Sequence, residues 1–281
     1  KLDGAFQLYQ KAVSLKPDFL IAHRNLGDVL SQQGKIKQAI QSYDKAIEIQ
    51  PDNAQSHHHR GMLLLLQGDF QRGWEEYEWR LKCIEFPVEK RSFAQPVWDG
   101  SPLNGKTIFL YAEQGFGDTI QFIRYVYELT WYKVDIIVEC QSELLDLFRN
   151  IGIIAQLIVQ GDALPDFDVH APLLSLPRIL GTDLESIPSK VPYLSAKPVP
   201  VLSSNPNSKL KVGIAWAGNS WHPNDDTRSV DLEQFTILFN VSACQFYSLQ
   251  VGDRRNDIAK YNYSDSIIDL GADFSDFSER A

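Results

Sequence analysis

A period of 34 residues runs through the first part of the chain and constrains its fold more than any other feature. Three tyrosines follow one another at this interval: Tyr9, Tyr43 and Tyr77. Six further residue pairs share it, namely Ala5 and Ala39, Ala12 and Ala46, Pro17 and Pro51, Gly27 and Gly61, Leu30 and Leu64, and Gly34 and Gly68. A fixed period of this size indicates an array of supersecondary units, which must stack because one unit cannot bury its apolar face alone.

The repeated unit resembles the tetratricopeptide repeat. That family has a Leu-Gly pair early, a small residue and an aromatic residue in the middle, and a proline at the end. Leu26 and Leu30 fall at helical spacing, as do Ala39, Tyr43 and Ala46. The resemblance implies two helices per unit and binding of a protein partner by the array.

The third unit, Asp52 to about Glu85, departs from the pattern. Gly73 and Arg80 stand where the second unit has alanines, and one helix carries three large aromatic residues, Trp74, Tyr77 and Trp79. We interpret it as a terminal repeat that caps the array and docks on the segment that follows. The alternative is an aromatic platform for a ligand.

Three consecutive histidines, His57, His58 and His59, stand at the start of a predicted helix in the third unit. Consecutive residues on a helix point in different directions and cannot converge on one metal ion. We therefore expect a solvated helix start and no metal site.

From Thr107 onwards, short apolar runs alternate with helical spacing, which predicts a parallel α/β sheet. Expected strands are Thr107–Ala112, Val134–Glu139, Ala155–Val159 and Asp168–Ala171, then Lys211–Ala217 and Ala243–Leu249; expected helices are Thr119–Tyr132, Ser142–Asn150 and Asp231–Phe239. The fold class is thus α + α/β. We divide the chain into repeats (1–86), a Rossmann-like domain (87–195), a proline-rich linker (196–209) and the first half of a second such domain (210–281). We expect a piece of a longer protein, because both ends fall inside a unit.

Composition excludes several classes of partner. The 281 residues include 27 Lys and Arg against 36 Asp and Glu, a net charge of −9, and no basic stripe is present to neutralise nucleic acid. The longest apolar run, Met62 to Leu66, is far too short to span a membrane. Cys83, Cys140 and Cys244 are too widely spaced for a zinc site or a disulfide framework. A cytoplasmic location is therefore expected.

Gly100 to Thr107 (GSPLNGKT) satisfies the P-loop formula. The formula works only where a strand precedes the glycines and a helix follows the lysine. Here a strand is expected directly after Lys106, so we interpret the segment as a turn that leads into that strand. An NTPase acting through Lys106 is the weaker alternative.

Glu113 to Asp118 (EQGFGD) follows the first strand and opens a helix, a context in which backbone N–H groups and the helix dipole form a ligand loop. Gly115 and Gly117 permit close approach of a ligand to the backbone. Asp118 can cap the helix or act as a general base on a hydroxyl nucleophile. Both roles stay open on the residues alone.

A polar loop, Gly218 to Ser229, follows the first strand of the second α/β segment. By the same rule it lies at the carboxyl end of a strand, where ligands bind. Arg228 can hold a diphosphate bidentately, or it can pair with Asp225 or Asp226 on an exposed loop.

Several long stretches resemble bacterial tetratricopeptide proteins fused to a heptosyltransferase-like glycosyltransferase domain of family 9 type. They are GWEEYEWRL (73–81), LYAEQGFGDTIQFIRY (110–125), LPDFDVHAPLLSLPRILGT (164–182), IPSKVPYL (187–194), VGIAWAGNSWHPNDDTRSVDL (212–232) and YSLQ (247–250). The resemblance implies a GT-B fold of two Rossmann-like domains around a cleft.

The same resemblance implies a function and its residues. It implies inverting transfer from a nucleotide-sugar donor to a hydroxyl of a protein or glycan acceptor, with no catalytic metal and no cofactor. Asp118 corresponds to the family's base and Arg228 to its diphosphate ligand; Gly115 and Gly117 shape the cleft, and Asn219 and His222 join Arg228 at the donor. The alternative is a non-catalytic scaffold in which the transferase domain is degenerate.

Overall fold

The computed structural model of the protein describes residues 2–83, 91–196, 209–220, 225–272 and 274. Contacts group the chain into two compact units. The first comprises Lys1–Gln141 and Ile151–Tyr193, and the second comprises Ser142–Asn150 and Leu194–Ala281. The predicted linker (196–209) falls almost wholly outside the described residues, and the domain boundaries at 86, 195 and 209 stay predictions.

The repeat region folds into helices that pack each on the next, as the 34-residue period predicts. They are α1 (Leu2–Leu15), α2 (Leu20–Gln32), α3 (Ile36–Ile49), α4 (Ala54–Leu66) and α5 (Phe70–Tyr77), which a 3-10 turn (Glu78–Lys82) extends. Gly34 and Gly68 follow α2 and α4 with φ of +72° and +83°, the left-handed conformation that glycine adopts at low cost. Tyr43 is buried between Leu26, Leu30, Ala39 and Leu63.

The glycines at position 27 and its repeat, 61, allow these helices to approach closely. A Cβ on Gly27 would lie 2.5 Å from Cε1 of Tyr43, and a Cβ on Gly61 would lie 2.8 Å from the backbone nitrogen of Tyr77. The neighbour of Gly27 is a side chain, whereas the neighbour of Gly61 is the backbone of another helix. A side chain at Gly61 therefore requires α4 and α5 to separate.

We expect Gly61→Ala to lower the free energy of unfolding by about 1–3 kcal/mol, the usual cost of overpacking. Gly4→Ala is the matched control, since it lies in α1 and nothing is within 4 Å of its added Cβ. That change should raise stability by up to about 1 kcal/mol through helix propensity. Urea denaturation of both variants measures the difference, and equal effects would contradict the close approach.

The first unit contains a parallel sheet of spatial order β3-β2-β1-β4. Its strands are β1 (Thr107–Tyr111), β2 (Asp135–Cys140), β3 (Ile154–Val159) and β4 (Val169–Pro172). All four predicted strands of this sheet are present, with ends shifted by one residue at most. Val97 pairs with His170 of β4 and extends the sheet on that side.

The second unit contains a parallel sheet of order β5-β6-β7. β5 (Leu210–Ile214) and β6 (Cys244–Ser248) were predicted, whereas β7 (Ile267–Asp269) was not, because only three residues of a short apolar run form it. Trp216, Leu232 and Phe246 are buried in the core of this unit. Repeats followed by parallel α/β sheets are thus the fold class that the sequence predicts.

Among the described residues, the helices of the α/β region are short: three overlap predicted helices and cover part of them, and three others were not predicted. They are α6 (Phe116–Phe122), α7 (Leu145–Phe148), α8 (Leu176–Ile179), α9 (Asp225–Arg228), α10 (Thr236–Phe239) and α11 (Asp257–Lys260). After α6 the chain continues as a 3-10 helix at Ile123–Tyr132, and shorter 3-10 turns precede α7, α8, α10 and α11. β-branched and aromatic residues, which favour the α-helix less, fill much of Ile123–Tyr132. Within the described residues, no helix combines the length and apolar character that crossing a membrane requires.

Candidate functional site

The carboxyl ends of β1 and β4 form the topological switch point of the first sheet. β1 pairs with β2 on one side and with β4 on the other, so the strand order runs from β1 to β3 in one direction and then reverses to β4. Ligands of open α/β sheets bind at such a point. Glu113 follows β1 here, and Ser175 follows β4.

Arg80, from the last repeat, occupies this position. Its Nε and Nη2 donate to Glu113 Oε1 at 2.8 and 2.5 Å, and its Nη1 donates to Glu78 Oε1 at 2.7 Å. Nη2 also donates to Ser175 Oγ at 2.9 Å, and that hydroxyl donates to Glu78 Oε2 at 3.0 Å. The side chains of Arg80 and Glu113 are both 0% exposed. The guanidinium of Arg80 therefore bonds to Glu78 within its own repeat, to Glu113 after β1 and to Ser175 after β4.

The aromatic residues of the third unit complete this contact. Trp74 lies edge-on to Phe122 of α6 with ring centroids 6.2 Å apart, and the Tyr77 hydroxyl accepts from Gln114 Nε2 at 3.2 Å. Trp79 stacks on His57 at 4.0 Å. The predicted docking of the terminal repeat is confirmed. The three rings are used in packing, so they do not form an exposed ligand platform.

Burial controls the charge state of this contact. Burial raises the pKa of Glu113, and the nearby Arg80 opposes that rise. Among the described residues, no group hydrogen bonds to Glu113 Oε2. Burial likewise raises the pKa of Tyr77. The carboxylate of Glu113 therefore depends on Arg80 for its charge.

The predicted ligand loop, Gly115 to Asp118, follows Glu113 directly. Gly115 precedes the first residue of α6, with φ −68° and ψ 170°, and both Gly115 and Gly117 are exposed. Asp118 is half-buried in the first turn of α6. Its Oδ2 lies 3.6 Å from where a Cβ on Gly115 would stand. The carboxylate therefore lies at the positive end of the helix dipole, next to the exposed glycines.

The P-loop-like segment is a turn, as predicted. The Lys106 backbone N–H donates to Leu103 O at 2.8 Å, and β1 begins directly at Thr107. No helix follows Lys106, so the arrangement that a P-loop needs is absent from this described stretch.

The prediction of a solvated start for α4 is wrong. His57 and His58 are buried at 7% and 3% exposure. Nδ1 of His57 is 2.8 Å from Glu76 Oε2, and its Nε2 is 2.9 Å from Pro51 O. Burial lowers the pKa of His58 to about 4. These side chains face α5 because the helices stack, which the local sequence does not show.

A glutamine orders the carboxyl end of β5 in the second unit. Gln250 Oε1 accepts from the backbone N–H groups of Trp216 and Ala217 at 3.1 and 3.0 Å. Its Nε2 donates to the carbonyls of Ala217 and Val251 at 3.0 and 2.9 Å. The loop that begins at Gly218 is thereby fixed to the end of β6.

The predicted donor residues of this loop are only partly within the described residues. His222 lies outside them, whereas Asn219 follows Gly218 and Arg228 ends α9. Arg228 is therefore the last residue of a short helix, and three residues separate it from the 3-10 turn that precedes α10. Its Nε lies 3.0 Å from where a Cβ on Gly218 would stand, and the side chain is exposed.

The proposed pairing of Arg228 with a neighbouring acid does not occur among the described residues. Asp225 Oδ1 instead accepts from Ser229 Oγ at 2.6 Å, and that hydroxyl accepts from Gly218 N at 2.9 Å. The guanidinium thus lies over the backbone of Gly218, and a Cβ at this position would require the arginine to shift by a few tenths of an ångström.

Sequence reasoning missed Glu113 and Ser175 as partners of Arg80. The departure of Arg80 from the repeat pattern was the available signal, because an arginine at a buried alanine position requires acidic partners. The structure brings Gly115, Gly117 and Asp118 together with this ion pair in the first unit. Asn219 and Arg228 lie in the second unit.

The repeat region matches a known family. Residues 1–34 and 27–68 match the family model described as TPR repeat. No curated protein matches the chain. Stacked helical repeats form extended binding surfaces.

Three solved structures are similar to part of the chain. "Crystal structure of MamA" is 23% identical, with a TM-score of 0.28, and covers 29% of this chain and 47% of that one. The TPR2B domain of yeast Sti1 is 17% identical, with a TM-score of 0.27, and the match covers 28% of this chain and 62% of that one. The Sgt2 TPR domain from Aspergillus fumigatus is 22% identical, with a TM-score of 0.28, and the match covers 29% of this chain and 54% of that one. The chain thus spans less than two thirds of each of these structures. The N-terminal part of this protein consists of TPR repeats, an architecture for binding proteins.

Proposed function

We propose that this chain is part of an inverting, metal-independent glycosyltransferase whose repeats bind a protein partner or acceptor. The observation that carries the proposal is the loop after β1, where two exposed glycines lie beside a half-buried carboxylate at a switch point. In this proposal Asp118 takes the proton of an acceptor hydroxyl while that oxygen forms a bond to the anomeric carbon. The bond to the nucleoside diphosphate breaks on the opposite face, and the diphosphate leaves with its electron pair.

The environment of Asp118 supports a base. The carboxylate is half-buried, so it is reachable from solvent, and Gly115 and Gly117 leave room for an acceptor next to it. Glu113 cannot serve in its place, because its side chain is fully buried and bonded to Arg80. General base catalysis needs a group within hydrogen-bond reach of the reacting hydroxyl.

The second unit supplies the donor site in this proposal. Arg228 is exposed and its guanidinium lies over Gly218, at the carboxyl end of β5. Planar guanidinium groups hold phosphate oxygens bidentately. Asn219 adjoins Gly218, and His222 is assigned to the same site from the resemblance alone.

A non-catalytic scaffold is the second candidate. The TPR match is compatible with it, because repeats of this architecture act through binding, but the same repeats are part of the proposed transferase. The buried Arg80 and Glu113 also fill the innermost part of the switch point, which leaves only the loop beyond it for a ligand.

Titration of the protein with UDP, GDP and ADP tests the donor site. We expect one of these to bind, and Arg228→Ala to weaken it by about 10- to 100-fold, the loss of hydrogen bonds to a charged group. Arg149→Ala is the matched control, because Arg149 is also exposed and pairs with the exposed Asp146. Binding of none of the three diphosphates would leave the scaffold as the better account.

Hydrolysis of the matching nucleotide-sugar tests the base. We expect Asp118→Asn to slow hydrolysis by about 10²- to 10⁴-fold and to leave diphosphate affinity unchanged. A variant that hydrolyses the donor at the original rate would refute the role of Asp118 without touching the donor site.

A further inference from the structure

An exposed aromatic residue borders a cavity on the 3-10 helix of the first unit. Trp131 is 85% exposed, which is unusual for an indole, because its apolar surface favours burial. The cavity has a volume of about 470 Å³, and Tyr125, Glu128 and Trp131 line one side of it. Leu180 and Thr182, after α8, lie on another side. This volume is within the range of small-ligand sites.

The 3-10 conformation of Ile123–Tyr132 aligns the three residues of the helix that line the cavity. Residues three apart eclipse one another in a 3-10 helix, whereas they are offset in an α-helix. Tyr125, Glu128 and Trp131 are spaced by three, so they form one ridge along the helix. Ten residues in this conformation are uncommon, and the cavity depends on it.

The opposite side of the ridge is held rigidly in place. Arg124 stacks over the ring of Tyr193 at 4.5 Å and donates to its hydroxyl at 3.1 Å. The Tyr127 hydroxyl donates to Tyr193 O at 2.9 Å. A second cavity of about 350 Å³ lies between the 3-10 helix and the segment 185–193. Glu128 and Ser186 line both cavities. Glu128 therefore lies between the two cavities.

The uncharged polar groups around the larger cavity are hydroxyls, which can donate or accept; they belong to Tyr125, Tyr132, Thr182 and Ser186. Ser186 Oγ donates to Asp183 Oδ1 at 2.7 Å. Glu128 is the charged residue of the lining, and among the described residues no cation pairs with it. A ligand that contacts it must therefore supply hydrogen-bond donors, preferably with positive charge.

We propose that this cavity binds a guanidinium group, with its plane on the indole of Trp131 and its N–H groups on the carboxylate of Glu128. Guanidinium ions stack on aromatic faces and bind carboxylates bidentately, and one group can do both. A phosphate or carboxylate is excluded by the charge of Glu128. The site is independent of the proposed transferase residues and stands whether or not the transfer occurs.

The group can belong to an arginine of a protein partner or to a small free cation. Both sources share one chemistry, and the two are separated by comparing ethylguanidinium with the capped peptide acetyl-Gly-Arg-Gly-amide. Peptide affinity at least about tenfold above that of the free ion would assign the site to a protein. Equal affinity would assign it to a small cation.

Fluorine NMR of protein labelled with 5-fluorotryptophan measures binding at this one residue. The chain contains six tryptophans, and Trp131→Phe identifies the Trp131 resonance by its loss. We expect ethylguanidinium to shift that resonance with a dissociation constant on the order of millimolar, as suits a single exposed cation contact. Glu128→Gln should weaken binding about threefold, and added salt should weaken it further.

Three controls decide the result. Glu233→Gln removes an exposed glutamate from another 3-10 turn and should leave binding unchanged. Tetramethylammonium, which has no N–H donors, should bind more weakly than ethylguanidinium, and methyl glucoside should not bind. The proposal is overturned if the Trp131 signal does not move with ethylguanidinium, if Glu128→Gln has no effect, or if either control ligand binds as well.

Discussion

Replacement of Arg80 by methionine should lower the free energy of unfolding of the first unit by about 3–5 kcal/mol, the cost of leaving a buried charge without its partner. Arg80 donates to Glu113 twice, and neither side chain is exposed. Methionine fills a similar volume. The loss of stability therefore comes mainly from the carboxylate of Glu113, which is left without its cation, and less from a cavity. Urea denaturation followed by tryptophan fluorescence measures it.

The pH dependence of this loss has a defined sign. Burial already raises the pKa of Glu113, and Arg80 is the largest influence that lowers it. Without Arg80 the pKa of Glu113 in the folded state rises further above its unfolded value. The protonated folded form is then favoured below the unfolded pKa, and stability is lost as the pH rises through the folded pKa. Arg80→Met should therefore be less destabilising at pH 5 than at pH 8.

A double variant separates the ion pair from the packing. Arg80→Met with Glu113→Leu removes both charges, and we expect it to regain most of the stability that Arg80→Met loses. Lys45→Met is the exposed control, since Lys45 and Glu48 are 59% and 62% exposed and the pair contributes at most about 1 kcal/mol. A loss below about 1 kcal/mol in Arg80→Met, the same at both pH values, would show that the pair does not hold the repeats on the sheet.

Replacement of Trp98 by alanine should cost about 3–5 kcal/mol, the range for emptying a buried aromatic site. Trp98 is 1% exposed, and its Nε1 donates to Ser101 O at 2.9 Å. Its ring lies edge-on to Tyr132 with centroids 5.3 Å apart, and its backbone N–H donates to His170 O at 2.8 Å. The variant thus empties the contact between the turn before β1 and the first sheet.

Trp131→Ala is the matched control for Trp98→Ala. Both are tryptophans of the first unit, but Trp131 is 85% exposed, so its removal should change stability by no more than about 0.5 kcal/mol. Thermal unfolding of the two variants in parallel gives the comparison. Similar melting temperatures would contradict the burial of Trp98.

The repeats and most strands could be predicted from the sequence because their signals are local. The spacing of Tyr43 and Tyr77 indicates that one helix pair stacks on the next. The apolar run of β1 indicates a strand that is buried on both faces. β7 escaped prediction because three residues give too short a pattern. The α-helix predicted to reach Tyr132 changes to a 3-10 helix after Phe122, where β-branched and aromatic residues that favour the α-helix less are frequent.

The candidate site could be predicted only in part. The loop at Gly115 and Asp118 was found from its position after a strand, which is a rule about order in the chain. Arg80 and Glu113 are 33 residues apart in the sequence. One lies in the last repeat and the other follows a strand of the sheet, and no spacing rule relates two such positions. The burial of His57 and His58 depends equally on helices that are distant in sequence.

The docked repeat differs from its neighbours at the positions that contact the sheet. Arg80 replaces the alanine that α3 carries at position 46, and Ala46 is fully buried between helices. Among the described residues, the contacts with the α/β fold given above come from this final unit, whereas the helices of the other units pack on one another. The number of repeats can consequently change during evolution by duplication or loss at the far side, with no compensating change in the sheet.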